Sequence, residues 1–447
     1  MRTRILLVAA TLAAFGASLG SSFHLDDYGI FRDPVLTSFS GWAQIWNPLH
    51  RRPLTDFTYW LNYQVGGQDP LGYHAVNLLL HIIAVLLALA CLRRLLPERA
   101  AWLAATIFAL HPLQAEAVNY VSARGIMLAT VLYLAALLAW LEGRHWIAVA
   151  GFAAALLASP EVATFPLVLL FLDRKHRAPL AAMLLLGVAG FALAFSPGAY
   201  IQGGGVVILR YLRLLIVPYG FTIDPDVPVP ALWLGALAWI AFLALAWLAW
   251  RRNWTWLLSG LLLLLPGCFF RGADAGDYHM HCALFGFGAA AGLLLSRAKA
   301  PAGLAVASVL ALVSIGRTAV WRSDEALWLE AVRRAPQKIR PRVQLARTLR
   351  TAEALDVLAA ARRMAPQDPR VSAETGRVLL AAGQAQAALE EFSHAVAADP
   401  NDAESFNGRG VAFATLGQTD AARSDFEHAL QLDPGLAEAK ENLQKLP

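Results

Sequence analysis

Long apolar runs separated by short polar connections fill the chain up to about residue 320, and ordinary amphipathic sequence follows. A membrane-spanning helix needs about 20 apolar residues, and by that measure the first part predicts about eleven spans. They lie near residues 5–20, 75–95, 100–117, 125–141, 145–158, 161–172, 178–196, 230–250, 254–269, 278–296 and 302–320. The pattern therefore predicts an all-α chain in which residues 1–320 form a polytopic membrane bundle.

The fifth and sixth runs are short and meet at a Ser-Pro-Glu sequence that ends at Glu161. They predict either two short spans or one re-entrant hairpin. The stretch 205–217 is also apolar, but it carries Arg210 and Arg213, and two cations at mid-bilayer are costly. We therefore predict an amphipathic helix that lies in the membrane interface there.

Residues 321–447 repeat with a period of 34, the spacing typical of tetratricopeptide repeats. Pro366, Pro400 and Pro434 mark the ends of successive repeats, and a degraded repeat begins near Ser323. Small and aromatic residues recur in the same register: Gly376 and Gly410, Gly383 and Gly417, Ala388 and Ala422, Phe392 and Phe426, Ala395 and Ala429. Such arrays form a curved solenoid, and we expect this one to bind an extended peptide or protein. The alternative is that it only packs on the membrane domain or caps an oligomer.

The composition agrees with this division. Hydrophobic residues make up 57% of the chain and charged residues 15%, whereas a soluble protein averages roughly 25% charged residues. The three cysteines, Cys91, Cys268 and Cys282, form no spacing pattern, so neither a disulfide framework nor a thiolate metal site is expected. The net charge of +5 mostly reflects basic residues beside the spans, so no nucleic-acid partner is predicted.

The basic residues also set the orientation, because Lys and Arg are retained in cytoplasmic connections. They place the N-terminus inside the cell, and the first loop (residues 21–73) and the repeats on the opposite face. Residues 1–20 also fit a cleaved signal peptide, given Arg2 and Arg4 before an apolar core. Cleavage would leave the sidedness of all later segments unchanged.

Ionisable residues collect at the span ends of the predicted outer face. Asp26 and Asp27 follow the first span. Paired carboxylates can share a proton or a divalent metal, and their mutual repulsion raises one pKa toward neutrality. The alternative is that both are solvated loop acids.

A second polar group lies around the end of the third run. His111 ends an apolar helix, and Glu116 and Arg124 come before the next run. Arg124 also fits an interface residue whose charge reaches water. Glu161 lies at the break between the two short runs. An acid at membrane depth is usually functional, although a water-filled re-entrant loop would lower the cost of burying it.

Arg210 and Arg213 share one side of their predicted helix, which suits a phosphate at the lipid surface, or anionic lipid headgroups without specificity. A further polar group lies between two later spans: Arg271, Asp274, Asp277, Tyr278, His279 and His281. Its two histidines and an aspartate can bind a metal. All these groups are predicted on one face, which indicates a polar cavity that opens away from the cytoplasm under the first loop.

Several segments resemble the family of transmembrane and tetratricopeptide-repeat O-mannosyltransferases and its bacterial relatives. They are Phe23 to Asp33 with Arg52-Pro53-Leu54, Tyr73 to His81, and His111-Pro112 through Glu116-Ala117-Val118 to Ser122-Ala123-Arg124. The likeness continues in order through Ser159-Pro160-Glu161, Phe165-Pro166-Leu167 to Asp173, Arg210-Tyr211-Leu212 with Pro218, and the repeats. The motif His-Pro…Glu-Ala-Val…Arg is its most specific part.

The resemblance implies a glycosyltransferase of the GT-C class in the bacterial inner membrane, with its repeats in the periplasm. Such an enzyme moves one sugar, with inversion, from a polyprenyl-phosphate carrier to Ser or Thr of an exported protein. The donor substrate is then a polyprenyl-phosphate-linked sugar, with mannose as the first guess, and a role for a divalent metal is left open.

The same resemblance implies roles for individual residues. Asp26 or Asp27 is expected to be the base that deprotonates the acceptor hydroxyl. The donor phosphate is expected to be held by Arg210, Arg213 and Arg124. The sugar or acceptor site is expected to be formed by His111, Glu116, Glu161 and Tyr211.

The chain departs from the family pattern at two positions. Pro160 stands where the family usually has the Lys of a Ser-Lys-Glu sequence, and Gly276-Asp277-Tyr278 stands where it usually has Glu-Arg-Tyr. Losing these two cations favours a second interpretation, an inactive membrane-anchored scaffold or assembly factor. A transporter is a third interpretation, but the membrane part contains no internal repeat that would favour it.

Overall fold

The computed structural model of the protein describes residues 2–47, 49, 51–173, 175–194, 200–227, 230–268 and 276–447. All regular elements within these ranges are helical, which confirms the predicted fold class, and the described part contains no strand. The chain divides into two compact units, Met1–Ser323 and Asp324–Pro447. The boundary lies three residues after the predicted one at 320/321.

Sixteen α-helices form the part of the first unit that the structure describes. They are α1 (Arg2–Phe15), α2 (Asp27–Arg32), α3 (Pro34–Thr37), α4 (Pro53–Gly66), α5 (Pro70–Leu95), α6 (Glu98–Leu110), α7 (Gln114–Asn119), α8 (Arg124–Leu141), α9 (His145–Ala158), α10 (Phe165–Leu172), α11 (Arg177–Ala194), α12 (Tyr200–Ile216), α13 (Leu232–Arg251), α14 (Thr255–Leu264), α15 (Met280–Leu295) and α16 (Ala300–Val320). Short 3₁₀ turns at Val121–Ala123, Pro160–Val162 and Asp277–His279 lie between them and carry many of the polar side chains discussed below.

Among the described residues, six helical segments are long and apolar enough to cross a membrane. They are Thr3–Gly20, Pro70–Leu95, Val121–Leu141, Leu232–Arg251, Asp277–Leu295 and Ala300–Val320. The other five predicted spans contain α6, α9, α10, α11 and α14, and these helices are not both long and apolar enough to be counted as membrane-crossing. A membrane bundle is thus confirmed, while the number of about eleven crossings stays a prediction.

Helices α8 and α15 lie at the centre of the bundle, because most of each span is buried, whereas α1, α13 and α16 expose most of their apolar surface outward. Small residues on α15 allow close packing. A Cβ atom on Gly286 would lie 2.3 Å from the backbone nitrogen of Gly260 in α14, and one on Gly292 would lie 2.6 Å from the carbonyl oxygen of Ala100 in α6. Close backbone approach through small residues is typical of helices packed within membranes.

The second unit contains eight helices in antiparallel pairs. They are α17 (Asp324–Arg334), α18 (Arg340–Ala346), α19 (Thr351–Met364), α20 (Pro369–Ala381), α21 (Ala385–Ala398), α22 (Ala403–Thr415), α23 (Thr419–Leu432) and α24 (Ala437–Lys445). A Cβ on Gly376 would lie 2.8 Å from the Phe392 ring, and one on Gly410 would lie 2.7 Å from the Phe426 ring. The repeated glycines are therefore the positions against which the repeated aromatic rings pack.

Candidate active site

The acidic pair predicted after the first span lies at the start of α2, and its two members have different surroundings. Asp27 is fully buried. Its Oδ1 atom accepts hydrogen bonds from the backbone N–H and the hydroxyl of Ser122, both at 2.7 Å. Its Oδ2 atom accepts a bond of 3.0 Å from the backbone N–H of His24. Asp27 therefore ties the first loop to the turn that precedes α8.

Asp26 is exposed, and it lines a cleft of about 250 Å³. Its Oδ2 atom accepts a 3.0 Å hydrogen bond from the Tyr120 hydroxyl. The cleft is lined by Asp26, Gly29, Ile30, Asp33, Leu36, Arg51, Arg52, Asp56, Tyr59 and Ser122. Asp26 is thus the member of the acidic pair that a molecule in the cleft can reach.

Burial raises the pKa of Asp27 from 3.8 to about 6, although its hydrogen bonds to Ser122 and His24 act in the opposite direction. Desolvation disfavours the ionised carboxylate, and here it outweighs the donors. From the sequence, a pKa raised by repulsion between neighbouring acids was expected. In the structure the largest cause is burial.

Because the pKa of Asp27 is higher in the folded than in the unfolded chain, the folded state holds this proton more tightly. The free energy of unfolding should therefore fall as the pH rises from about 4 to about 6, by about 3 kcal/mol in total, and then stay level. The Asp27→Asn variant should lack this component of the pH dependence. Thermal unfolding of both proteins in detergent between pH 4 and 7.5 measures it. Parallel pH profiles of the two proteins would contradict the raised pKa.

Two arginines of the cleft differ in their pairing. Arg51 forms ion pairs with Asp33 at 2.9 Å and Asp56 at 3.6 Å. The neighbouring guanidinium of Arg52 also favours the ionised form of Asp56 electrostatically, and it lines the same cleft as Asp26. In the sequence, Arg52 stands out only as part of the family resemblance. The sequence feature that could have indicated an anion-binding site is the pair of adjacent arginines, Arg51 and Arg52, in the predicted outer loop.

A second polar cluster forms where α12 meets the turn before α15. Arg210 donates a 2.6 Å hydrogen bond to Oδ1 of buried Asp277. The backbone N–H of Asp277 donates to Oε2 of Glu116 at 2.9 Å, and the Tyr211 hydroxyl donates to the carbonyl oxygen of Gly276 at 2.7 Å. Three residues predicted for the donor or sugar site, Arg210, Glu116 and Tyr211, are thus brought together around the segment from Gly276 to Asp277.

Glu161 and His279 form a buried pair beside this cluster. Oε2 of Glu161 lies 2.8 Å from Nδ1 of His279, and both side chains are almost fully inaccessible. His279 is the residue after Tyr278 on the same 3₁₀ turn as Asp277. The turn therefore links the Glu161 break to the ion pair of Arg210.

His111 and Arg213 lie apart from that network. Nε2 of buried His111 lies 3.2 Å from the carbonyl oxygen of Leu215, and its Nδ1 accepts a bond from the backbone N–H of Leu113. Arg213 is exposed and donates to the carbonyl oxygen of Tyr219 at 3.1 Å. Arg210 and Arg213 were expected to act together, but only Arg210 pairs with Asp277.

Arg124 is fully buried, and its guanidinium is surrounded by acceptors. It donates to Asn62 Oδ1 at 2.6 Å, Asn77 Oδ1 at 2.9 Å and the Tyr73 carbonyl oxygen at 3.0 Å. It also lies over the Tyr59 ring, 4.6 Å from its centroid. This network joins α4 and α5 to the start of α8, two residues after Ser122, which bonds Asp27.

The acidic cleft and the Arg210 cluster are separate but adjacent. Neither Arg210 nor Glu161 lines the cleft that contains Asp26. Tyr120, which bonds Asp26, has its ring centroid 6.3 Å from that of Tyr278, and so it lies between the two groups. Arg271 and Asp274, two residues of the predicted polar connection, lie outside the described residues.

His24 connects the acidic pair to the end of the last span. Its Nε2 atom lies 2.8 Å from the carbonyl oxygen of buried Trp321. A carbonyl oxygen only accepts, so Nε2 carries the proton in this contact. The Trp321 ring also lies 5.9 Å from the Tyr120 ring, centroid to centroid.

The predicted metal site at His279 and His281 does not form among the described side chains. His279 is directed to Glu161, and Nδ1 of His281 lies 2.5 Å from Oε1 of Gln114. Within the described ranges, only His145, Asp173 and His176 place three potential metal ligands together.

Comparisons with known proteins show similarities over parts of the chain. A family model for the tetratricopeptide repeat matches residues 345–403 and 374–437. A protein O-mannosyl-transferase of Caenorhabditis elegans is 30% identical over 165 residues, which are 32% of this chain and 24% of the relative. A protein O-mannosyl-transferase of Drosophila melanogaster is 42% identical over 99 residues, which are 21% of this chain and 12% of the relative.

Among solved structures, the first tetratricopeptide repeat domain of Spaghetti, bound to an HSP90 peptide, is 22% identical. The match covers 24% of this chain and 90% of that one, with a TM-score of 0.24. The matched part of this chain spans a quarter or less of the two named transferases. Over those segments the chain is a relative of the protein O-mannosyl-transferases, and its second unit is an array of tetratricopeptide repeats.

Proposed function

We propose that the protein is a membrane glycosyltransferase that moves a sugar from a polyprenyl-phosphate donor to Ser or Thr hydroxyls of exported proteins. The observation that carries the proposal is a cleft lined both by an exposed carboxylate, Asp26, and by the cation of Arg52. A base and a cation in one cleft are what such a displacement needs. The partial likeness to named O-mannosyl-transferases supports the reaction class and makes mannose the first candidate sugar.

In the proposed reaction, Asp26 takes the proton of the acceptor hydroxyl as the oxygen attacks the anomeric carbon. The bond from that carbon to the phosphate oxygen breaks on the opposite side, and polyprenyl phosphate leaves with the electron pair. The sugar is transferred with inversion in one step. We assign the base to Asp26 rather than Asp27, because both oxygens of Asp27 already accept hydrogen bonds from the protein.

Negative charge develops on the departing phosphate, so a cation must lie beside it. Of the three arginines expected there, Arg124 is buried among protein acceptors and Arg210 pairs with Asp277. Arg213 is exposed and can meet a phosphate at the membrane surface. We add Arg52 to this set, since it lines the Asp26 cleft and, unlike Arg51, makes no hydrogen-bonded ion pair with the described residues. Glu161, Glu116, His111 and Tyr211 would then shape the neighbouring sugar site.

The repeats would present the acceptor, in keeping with the use of such arrays for binding peptides and proteins. We place the enzyme in the bacterial inner membrane with a cytoplasmic N-terminus, and the cleft and repeats in the periplasm, on the distribution of basic residues. Donor and acceptor would therefore meet on the face away from the cytoplasm.

Intact-mass comparison of exported proteins tests the proposal. Cells that carry the chain should contain exported proteins heavier by one or more sugar residues than the same proteins from cells that lack it. Restoring the chain should restore the added mass. If masses are identical with and without the chain, while its membrane level is confirmed, the transferase proposal is wrong.

An inactive scaffold is the second candidate, and one observation favours it. The arginines Arg124 and Arg210 both have protein partners in the structure, so neither is a free phosphate ligand. A scaffold would leave the masses of exported proteins unchanged. It would still bind a protein through its repeats.

A further inference from the structure

A histidine–aspartate cluster lies at the far end of the helical hairpin whose turn holds Glu161. Helix α9 leads to the Pro160–Val162 turn, and α10 returns from it. His145 is the first residue of α9, Asp173 directly follows α10, and His176 directly precedes α11. The cluster therefore joins both open ends of the hairpin to the beginning of the next helix.

The three side chains are already close together. One potential ligand atom of each lies within 4.8 Å of those of the other two. The imidazole rings of His145 and His176 stack with centroids 3.6 Å apart, and Nδ1 of His176 lies 2.7 Å from Oδ2 of Asp173. His145 and Asp173 are half-buried and His176 is exposed, so the cluster is open to water on one side.

We propose that His145, Asp173 and His176 form a binding site for a divalent transition metal such as Zn²⁺. Two imidazoles and a carboxylate are ligands that Zn²⁺ takes in proteins, and a water can complete four-coordination from the open side. The spacing of Asp173 and His176 places two ligands on one short segment, and His145 comes from a separate one. Both imidazoles must be neutral to ligate a metal, so binding is expected to weaken at acidic pH.

Binding requires a small adjustment of the cluster. Ligand atoms at about 2.0–2.2 Å from a tetrahedral Zn²⁺ lie roughly 3.4 Å apart, which is less than the present upper separation. Rotation of the partly exposed side chains can supply this movement without shifting the helices. Asp173 also accepts a hydrogen bond of 2.8 Å from the backbone N–H of Lys175, which holds its carboxylate in place.

Nearby charges limit the affinity and therefore enter the test. Arg144 and Arg177 border the same surface depression as His145 and His176, and they repel a cation. Glu142, 4.0 Å from Arg144, partly offsets that charge. The site is independent of the proposed transferase chemistry, because it lies at the end of the hairpin opposite to Glu161. Its role would be to fasten the two short helices.

Zn²⁺ binding by the full chain tests the inference directly. Protein purified in detergent through a tag without histidine, and stripped with EDTA, should bind one Zn²⁺ by calorimetric titration and metal analysis. Added Zn²⁺ should raise its melting temperature. His145→Ala and His176→Ala should each weaken binding at least tenfold and remove the shift, whereas His394→Ala, at an exposed histidine of the second unit, should change neither.

Melting without metal shows whether the variants are folded. Suppose that the variants melt at the same temperature as wild type stripped of metal. If wild type then binds no more Zn²⁺ than the His145→Ala,His176→Ala double variant, the site does not exist. The same conclusion follows if His394→Ala reduces binding as much as the cluster variants do. A fully folded Asp26→Asn protein should bind Zn²⁺ normally, so failure of this inference and failure of the transferase proposal are separate results.

Discussion

Asp26→Asn is expected to lower the transfer of sugar to exported proteins by a factor of about 10²–10⁴, the usual contribution of a general base. The amide has nearly the shape of the carboxylate but cannot take a proton from the acceptor hydroxyl. Because Asp26 is exposed in the cleft, the replacement should leave the fold intact. The intact mass of exported proteins, measured at equal membrane levels of wild type and variant, gives the result.

Asp226→Asn is the matched control for this experiment. Asp226 is also exposed, but it lies on the connection between α12 and α13 and does not line the cleft. The Asp226→Asn protein should transfer sugar at the wild-type rate. Equal transfer by the Asp26 and Asp226 variants would exclude Asp26 as the base and return attention to Asp27.

Replacing Arg124 with Leu is expected to lower the free energy of unfolding by roughly 3–5 kcal/mol, since it removes hydrogen bonds from a charged group to several acceptors at about 1.5–3 kcal/mol each. Those acceptors are the side-chain oxygens of Asn62 and Asn77 and the carbonyl oxygen of Tyr73. Arg124→Lys should lose less, because an ammonium group can still reach part of the set. Denaturant titration in mixed micelles, followed by tryptophan fluorescence, measures the losses.

Arg93→Leu provides the comparison for a surface arginine. Arg93 forms a partly exposed ion pair with Glu98, and such pairs contribute about 0–1 kcal/mol. Similar losses for the two leucine variants would mean that the Arg124 network has little structural importance. An Arg124→Lys protein that keeps its stability but loses sugar transfer would instead support the phosphate role suggested by the family resemblance.

The architecture could be predicted because it depends on patterns that are local in the sequence. Apolar run length predicted a helical membrane bundle, and a recurring glycine and phenylalanine register predicted the repeats. The same phenylalanines, Phe392 and Phe426, pack on the glycines of that register. Helix bounds were less predictable, since α10 begins at Phe165, after the Pro160–Val162 turn, whereas its span was predicted from residue 161.

The candidate site could be predicted only in part, because its contacts join residues that lie far apart in the sequence. Residue types indicated that Asp26, Asp27, Arg210 and Glu161 were unusual. Nothing in the sequence indicated that Asp27 bonds Ser122, 95 residues away, or that Arg210 pairs with Asp277, 67 residues away. The hydrogen-bond and ion-pair partners that a charged side chain has within the protein decide whether it can also bind a substrate. For that reason Arg52, which the sequence marks only as part of a motif, became a candidate phosphate ligand only once the cleft was known.

The hydrogen bond between His24 and the Trp321 carbonyl determines where the chain can be divided for separate expression. A fragment that ends at residue 320 would contain every predicted span and still lack the acceptor that holds His24 beside the acidic pair. Ending it at Ser323 keeps both Trp321 and the compact unit whole. The last membrane helix thus anchors its own terminus against the first loop, and a truncation chosen by hydropathy alone would remove part of the candidate site's support.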